Sequence, residues 1–153
     1  MDQKIRYVHT NLIAYDWKQL ASFYIDVFGC QPMPPERNLH GDWLGRLTSL
    51  ENPHIRGIHL ALPGYTGEPT LEIFSYEDQK EAEPRSINAP GFGHIAFHVD
   101  DVPDLAERIQ THGGSLLGEI VVQDYPEQGT LTVAYCRDPE GNFIEVQNWK
   151  LNE

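Results

Sequence analysis

Apolar and polar residues alternate in the segment GFGHIAFHVDD, residues 91–101, in a way that predicts a β-strand. Successive side chains of a strand point to opposite faces of its sheet. One face of this strand is apolar and consists of Ile95, Phe97 and Val99. The other face carries His94, Ala96 and His98. The pattern therefore predicts one face for packing and one face open to solvent or to a metal ion.

A second copy of this pattern lies 85 positions earlier in the chain, where His9 corresponds to His94. The same shift, without a gap, also aligns five further pairs: Asp16 with Asp101, Leu20 with Leu105, Ala21 with Ala106, Tyr24 with Ile109, and Gly29 with Gly114. Each copy consists of a strand with a histidine, an aspartate, an amphipathic segment and a glycine. Such internal repetition indicates two related modules.

One α-helix is predicted in each module, over residues 17–28 and 102–112, with Asp16 and Asp101 as the capping residues. Strands are predicted after the helices, at residues 42–48, 55–62 and 70–76 in the first half and at 115–123, 131–137 and 142–148 in the second. The turn DPEGN, residues 138–142, is expected to join the last two strands as a hairpin.

The charged segment 77–91 contains two prolines and no apolar period, so it is expected to link modules at residues 5–76 and 92–149. Each half then has the order βαβββ. The sequence predicts one α+β domain over residues 1–153.

Composition narrows the classes of partner. The formal net charge of the 153 residues is −12, which argues against binding to nucleic acid or to an anionic membrane surface. Cys30 and Cys136 are far apart and form no CxxC pair, so reduced thiols are expected. No segment is apolar over the length of a membrane span. We therefore expect a soluble, cytoplasmic protein.

The last strand of each half carries one acid between apolar neighbours, Glu72 in LEIFS and Glu145 in FIEVQ. Alternation places these carboxylates on the face opposite their apolar neighbours, as it does for His9 and His94. A carboxylate on a buried face is costly unless it is paired or bound to a metal, and a divalent cation removes that cost. These four residues are the predicted metal ligands. In the alternative interpretation His9 is a core histidine whose hydrogen bonds are satisfied, and Glu72 and Glu145 face solvent.

At the segments GFGHIAFHVDDV, RDPEGNFIEVQ and FYIDVFGC the chain resembles the vicinal oxygen chelate superfamily. This superfamily includes glyoxalase I, methylmalonyl-CoA epimerase, extradiol dioxygenases, and bleomycin and fosfomycin resistance proteins. The resemblance covers about residues 5–149. It implies two modules whose eight strands form an open, barrel-like sheet around a metal, and a homodimer in which modules pair within one chain or swap between two. The superfamily's ligand positions fall on His9, Glu72, His94 and Glu145.

A site of two histidines and two glutamates suits Zn, Ni, Co or Mn, and Fe less well. The resemblance implies a lyase or isomerase that transfers a proton α to a carbonyl through a metal-chelated enediolate, on a small substrate with vicinal oxygens. By resemblance to glyoxalase I, Glu145 would move the proton and Glu72 would serve the opposite face. The alternatives are an Fe(II) extradiol-type dioxygenase and a non-catalytic small-molecule binding or resistance protein. Ile13 and Tyr76 stand where bacterial glyoxalase I usually has an arginine and an asparagine that bind glutathione.

Further residues are expected to line a substrate pocket, by their strand face or by their place in the segment GDWLGRLTSL: His98, His59, Phe74, Tyr76, Trp43 and Arg46. Each also has a plainer interpretation. His98 would be a polar residue at the rim, the aromatic residues would pack in the core or at an edge, and Arg46 would be solvated. Arg56 is the alternative to Arg46 as a partner of a substrate anion.

Overall fold

The computed structural model describes residues 2–153, and the chain divides into two compact units, Met1–Glu81 and Ala82–Glu153. The division falls within the predicted linker, and residues 77–93 form neither helix nor strand. Over residues 2–153, none of the helices has both the length and the apolar character that a membrane crossing requires.

The first unit is a four-stranded mixed sheet with two helices. Its elements in chain order are β1 (His9–Ile13), α1 (Trp17–Phe28), β2 (Gln31–Leu39), α2 (Asp42–Thr48), β3 (Ile55–Ala61) and β4 (Thr70–Tyr76). The strands lie in the order β1-β4-β3-β2. The first and last strands, β1 and β4, are parallel neighbours, and the other pairs are antiparallel.

The second unit is a five-stranded sheet with one helix. Its elements are β5 (His94–His98), α3 (Val102–Thr111), β6 (Ser115–Leu116), β7 (Val121–Tyr125), β8 (Gly129–Arg137) and β9 (Phe143–Leu151). The strands lie in the order β5-β9-β8-β6, and β7 also pairs with β8. Here too the first and last strands are parallel neighbours.

The register shows that the two units repeat the same construction. His9 lies opposite Thr70, and two residues further along Asn11 lies opposite Glu72. In the second unit His94 lies opposite Phe143, and Ala96 lies opposite Glu145. Each histidine therefore has a glutamate at the same offset on the neighbouring strand. The predicted α+β class and the duplicated module are confirmed.

Both predicted caps begin their helices. The Asp16 carboxylate accepts a hydrogen bond of 3.1 Å from the Gln19 N–H at the start of α1, and the Asp101 carboxylate accepts one of 2.9 Å from the Asp104 N–H at the start of α3. Gly29 ends α1 with a φ of 73°, a left-handed conformation that glycine adopts without strain.

Helix α1 determines which face of the first sheet remains available for a site. Its buried face packs against β3 and β4. The buried residues of β3 and β4 that face this helix are Ile58, Leu60, Leu71 and Ile73. Because strand side chains alternate, Thr70, Glu72 and Phe74 of β4 point to the opposite face.

Two predicted strands were wrong in detail. Residues 42–48 form α2 rather than a strand, and α2 places Leu44 in a cluster with Ile55 and Phe74. The strand that follows α1 is instead β2, whose three prolines lack N–H donors and are tolerated because β2 is an edge strand. The predicted strand 115–123 is interrupted between β6 and β7, where Gly118 provides no side chain to pack.

The remaining predicted strands are present with small changes in their ends. Strand β3 ends one residue before the predicted end, β4 has the predicted bounds, and β8 and β9 are longer than predicted. Asp138 stabilises the predicted turn between β8 and β9. Its buried carboxylate accepts hydrogen bonds from the N–H groups of Glu140 and Asn142 and from the Asn142 amide.

Candidate functional site

Three polar side chains form a row across the first sheet. Glu72 lies on the interior strand β4, directly between Asn11 on β1 and His59 on β3. Paired residues of neighbouring strands point to the same face. The row therefore lies on the sheet face opposite α1.

Both oxygens of the Glu72 carboxylate are held by this row. The Asn11 amide donates a 2.8 Å hydrogen bond to Oε1, and Nε2 of His59 lies 2.7 Å from Oε2. Only 12% of the Glu72 side chain is exposed. Hydrogen bonds from both sides compensate a carboxylate that is largely withdrawn from water.

Thr70 fixes the orientation of the His59 ring. Burial lowers the pKa of His59 below its usual value of 6.5, against the opposing effect of the Glu72 charge, and this favours the neutral ring. A carboxylate only accepts hydrogen bonds, so Nε2 carries the proton that is donated to Glu72. Nδ1 is then an acceptor, and the Thr70 hydroxyl, 2.9 Å away, donates to it.

His9 completes a group of donors at this face. Its Nε2 lies 3.5 Å from Glu72 Oε1, its ring is 5.5 Å from the His59 ring in an edge-on arrangement, and 37% of its side chain is exposed. Donor atoms of His9, His59 and Glu72 all lie within 4.8 Å of one another.

This group fits a divalent metal ion. Two donors that bind one ion through bonds of about 2.0–2.2 Å must lie within about 4.4 Å of each other, and the His9–Glu72 pair meets this condition. Neutral imidazole and carboxylate are ligands that Zn, Ni, Co, Mn and Fe accept. The first unit thus has a His/Glu group that could hold a metal ion.

A cavity of about 420 Å³ adjoins the row in the first unit. Its polar lining residues are Asn11, Arg37, Thr48, His59 and Glu72. Its apolar and aromatic lining residues are Ile13, Leu39, Trp43, Leu44, Leu47, Ile55, Phe74 and Tyr76. Four of the six predicted pocket residues, His59, Phe74, Tyr76 and Trp43, line this cavity.

The other two predicted pocket residues lie elsewhere. Arg46 lines a different cavity of about 360 Å³, formed by α2 and the loop after it, and Arg37 is the arginine that lines the cavity next to Glu72. His98 lies in the second unit, at the end of β5 and opposite Gln147.

The other two predicted ligands occupy one face of the second unit. Glu145 lies between Ala96 and Tyr135 on its neighbouring strands, and the His94 ring lies 5.0 Å from the Tyr135 ring. The Gln147 amide donates a 2.9 Å hydrogen bond to Glu145. His9 and Glu72 are thus neighbours in one unit, and His94 and Glu145 occupy equivalent strand positions in the other. Their union in one four-ligand centre stays a prediction.

Sequence reasoning missed Asn11 and Arg37. Asn11 lies two residues after His9 on the same strand, so strand alternation alone would have placed it on the site face. Arg37 lies in the proline-containing strand β2, which had no strand signal in the sequence.

A duplicated βαβββ module with a histidine on its first strand and a glutamate on its last is the construction expected of vicinal oxygen chelate proteins. The family model described as the Glyoxalase/Bleomycin resistance protein/Dioxygenase superfamily matches residues 6–146, and the chain belongs to this superfamily.

Curated relatives and solved structures agree with this assignment. The chain is 30% identical to a lactoylglutathione lyase of Salmonella typhimurium over 142 residues, which cover 93% of this chain and 91% of the relative. It is 27% identical to a lactoylglutathione lyase of Neisseria meningitidis over 141 residues, which cover 92% and 88%. Among solved structures, a glyoxalase-family protein of Bacillus cereus has a TM-score of 0.75 at 23% identity, with 97% and 95% of the two chains covered.

Proposed function

We propose that this protein is a metal-dependent enzyme of the glyoxalase type, a lyase or isomerase that transfers a proton at the carbon next to a carbonyl group. The observation that carries the proposal is the Glu72 carboxylate, held by Asn11 and His59 and 3.5 Å from the His9 imidazole. Relatives named lactoylglutathione lyase, at 24–30% identity, support the same class of activity.

We assign His9 and Glu72 of the first unit, together with His94 and Glu145 of the second, to one Zn, Ni, Co or Mn ion. When bound, such an ion supplies Lewis-acid polarisation of two neighbouring substrate oxygens, which makes the adjacent C–H group more acidic. The substrate class is therefore a small molecule with vicinal oxygens.

The two carboxylates differ in how firmly they are held, and this difference supports distinct roles. Glu72 has a hydrogen bond to each oxygen and is suited to keep its position. Glu145 accepts a hydrogen bond at Oε2 from the Gln147 amide, whose oxygen accepts in turn from the Trp149 indole N–H. We therefore assign to Glu145 the removal and return of the proton, and to Glu72 the opposite face of the substrate.

A second candidate has support from the donor set of the first unit. With Nε2 of His59 deprotonated and bound to the ion instead of donating to Glu72, His9, His59 and Glu72 would provide two imidazoles and one carboxylate, which is the ligand set of many non-haem Fe(II) oxygenases. An Fe(II) ring-cleaving dioxygenase is the alternative function. A homodimer, with modules paired within a chain or swapped, and a cytoplasmic location are part of the proposal for either activity.

The first experiment measures the metal content of the purified full-length protein. About one Zn, Ni, Co or Mn ion per chain is the expected result. Iron together with cleavage of catechol would establish the alternative activity. Protein that neither retains nor binds any of these metals would contradict both enzymes and favour a non-catalytic binding protein.

The second experiment follows proton exchange into D2O by NMR with 2-hydroxyacetophenone, whose carbonyl and hydroxyl oxygens are neighbours. The metal-loaded protein should exchange the two protons on the carbon that bears the hydroxyl group, next to the carbonyl. Glu145→Gln should abolish the exchange, while Glu127→Gln, at an exposed position after β7, should leave it unchanged. Exchange that survives in Glu145→Gln would refute Glu145 as the base.

A further inference from the structure

We propose that the cavity of the first unit binds an apolar group of the substrate, so that the preferred compound has an aromatic or branched aliphatic group attached to its two neighbouring oxygens. This inference rests on the proposed function, because that function assigns the oxygen-bearing end of the substrate to the neighbourhood of Glu72. It goes further by specifying what the rest of the molecule is.

The polarity of the sheet changes along the strands, away from Glu72. The first row, Asn11–Glu72–His59, is polar. Two residues further along β4, Phe74 lies between Ile13 and Gly57. Two residues beyond that, Tyr76 lies opposite Ile55, which pairs in turn with Leu39. Each step advances about 6.5–7 Å, so a ligand anchored at Glu72 meets apolar side chains within the length of one small ring.

Gly57 allows the Phe74 ring to form part of this apolar surface. A Cβ at residue 57 would lie 2.5 Å from Phe74 Cδ1, so the ring lies over the glycine rather than beside a side chain. This contact keeps the ring close to the sheet, where it lines the cavity.

Helix α2 forms the opposite wall of the cavity. Its Leu44 is buried against Ile55 and Phe74, which fixes the helix over the apolar end of the strands. Trp43 and Leu47 of the same helix line the cavity and remain exposed, at 47% and 72%. Because these two side chains are not packed in the protein core, they can contact a ligand that enters the cavity.

The volume of the cavity and the charges of its lining residues suit an apolar group of the substrate. An apolar cavity of about 150 Å³ binds benzene, and this cavity of about 420 Å³ has room for a ring and for the oxygens next to it. Among its described lining residues, Arg37 is the cation and Glu72 the carboxylate. A large ligand with several charges would leave most of its charges without partners, whereas an apolar group needs none.

Isothermal titration with mandelate and lactate tests the inference on the metal-loaded, full-length protein. The two 2-hydroxy acids have the same pair of vicinal oxygens and differ by a phenyl against a methyl group. Burial of the phenyl group should make mandelate bind about tenfold to one-hundredfold more tightly. Trp43→Ala should reduce this preference to about threefold or less and leave the affinity for lactate unchanged.

Leu50→Ala is the matched control, because Leu50 is also 47% exposed but lines the separate cavity that contains Arg46. It should bind both acids as the unaltered protein does. Equal affinities of the unaltered protein for the two acids would overturn the inference and leave the proposed function standing. Tighter binding of S-lactoylglutathione than of mandelate, or no binding of either acid, would also overturn it. An affinity for mandelate that is unchanged after removal of the metal with a chelator would support the apolar pocket and count against the proposed role of the ion.

Discussion

Glu72 is a largely buried carboxylate, and His59 is one of the two side chains that hold it. His59→Leu removes the ring between Glu72 and Thr70 but fills most of its volume. One oxygen of Glu72 then loses a 2.7 Å hydrogen bond, and because only 12% of the side chain is exposed, little water reaches that oxygen to replace it. Hydrogen bonds to charged groups contribute about 1.5–3 kcal/mol. We expect the free energy of unfolding of the metal-free protein to fall by that amount.

Urea unfolding followed by circular dichroism measures this loss, and His54→Leu is the matched control. His54 Nδ1 also contacts a carboxylate, at 2.9 Å, but that carboxylate belongs to Glu77, which is 73% exposed. Solvent-exposed pairs contribute roughly 0–1 kcal/mol. Equal losses in the two variants, or no loss in His59→Leu, would refute the argument that burial makes the Glu72 contact important.

His59→Leu and a second variant, His59→Gln, separate two roles for His59 at the proposed metal centre. If His59 orients Glu72 without binding the ion, His59→Leu should weaken Zn²⁺ binding about tenfold to one-hundredfold. His59→Gln should restore much of the affinity, because its amide can donate to the carboxylate. Competition with a chromophoric chelator measures the affinity, and the absorption of the Co²⁺-loaded protein reports the ligand set. A changed Co²⁺ spectrum without rescue by glutamine would identify His59 as a direct ligand.

Four further predictions concern the fold. Gly57→Ala should lower the free energy of unfolding, measured in urea, by about 1–3 kcal/mol, because its Cβ would lie 2.1 Å from a carbonyl oxygen of the neighbouring strand. Gly93→Ala is the control and should leave the free energy of unfolding nearly unchanged, because no heavy atom lies within 4 Å of its Cβ. Burial raises the pKa of the Cys30 and Cys136 thiols from 9.0 to about 11, so at pH 8 only about 0.1% of each thiol is ionised. A disulfide reagent should therefore react with the native protein far more slowly than with the urea-unfolded protein. Because the folded state holds these protons more tightly, stability should fall as the pH rises from 9 to 11, and a native protein equally stable at both values would contradict this. Asp138→Ala should lower the free energy of unfolding by about 2–4 kcal/mol, because three hydrogen-bond donors lose the buried carboxylate that accepts from them. An unchanged melting temperature would refute the stabilising role of Asp138 in the turn.

The sequence predicted those parts of the fold that local chemistry determines. The 85-position repeat anticipated β1 and β5, and Asp16 and Asp101 identified the first turns of α1 and α3 because a side-chain cap leaves a local signal. Strand β2 was missed because its stability comes from pairing with β3 and overrides its three prolines. Residues 42–48 form a helix because Leu44 packs on Ile55 and Phe74, and that contact has no signature in the local sequence.

The candidate site was predictable only to the extent that strand alternation determines it. Alternation placed His9 and Glu72 on one face, and the repeat placed His94 and Glu145 at equivalent positions of the other unit. The partners of Glu72 depend on which strands are neighbours, which sequence spacing does not encode. His59 was expected in the pocket, but its hydrogen bond to Glu72 follows from the register of β3 against β4.

His9 and Glu72 differ in how closely each is tied to the architecture. His9 stands on a short strand at the border of its sheet and is 37% exposed, whereas Glu72 stands on an interior strand and cross-links it to both neighbours through Asn11 and His59. Replacement of the imidazole disturbs little packing, while replacement of the carboxylate disturbs a contact that spans three strands. Substitution of His9 should therefore leave the cross-link between the three strands intact, whereas substitution of Glu72 should loosen the sheet itself.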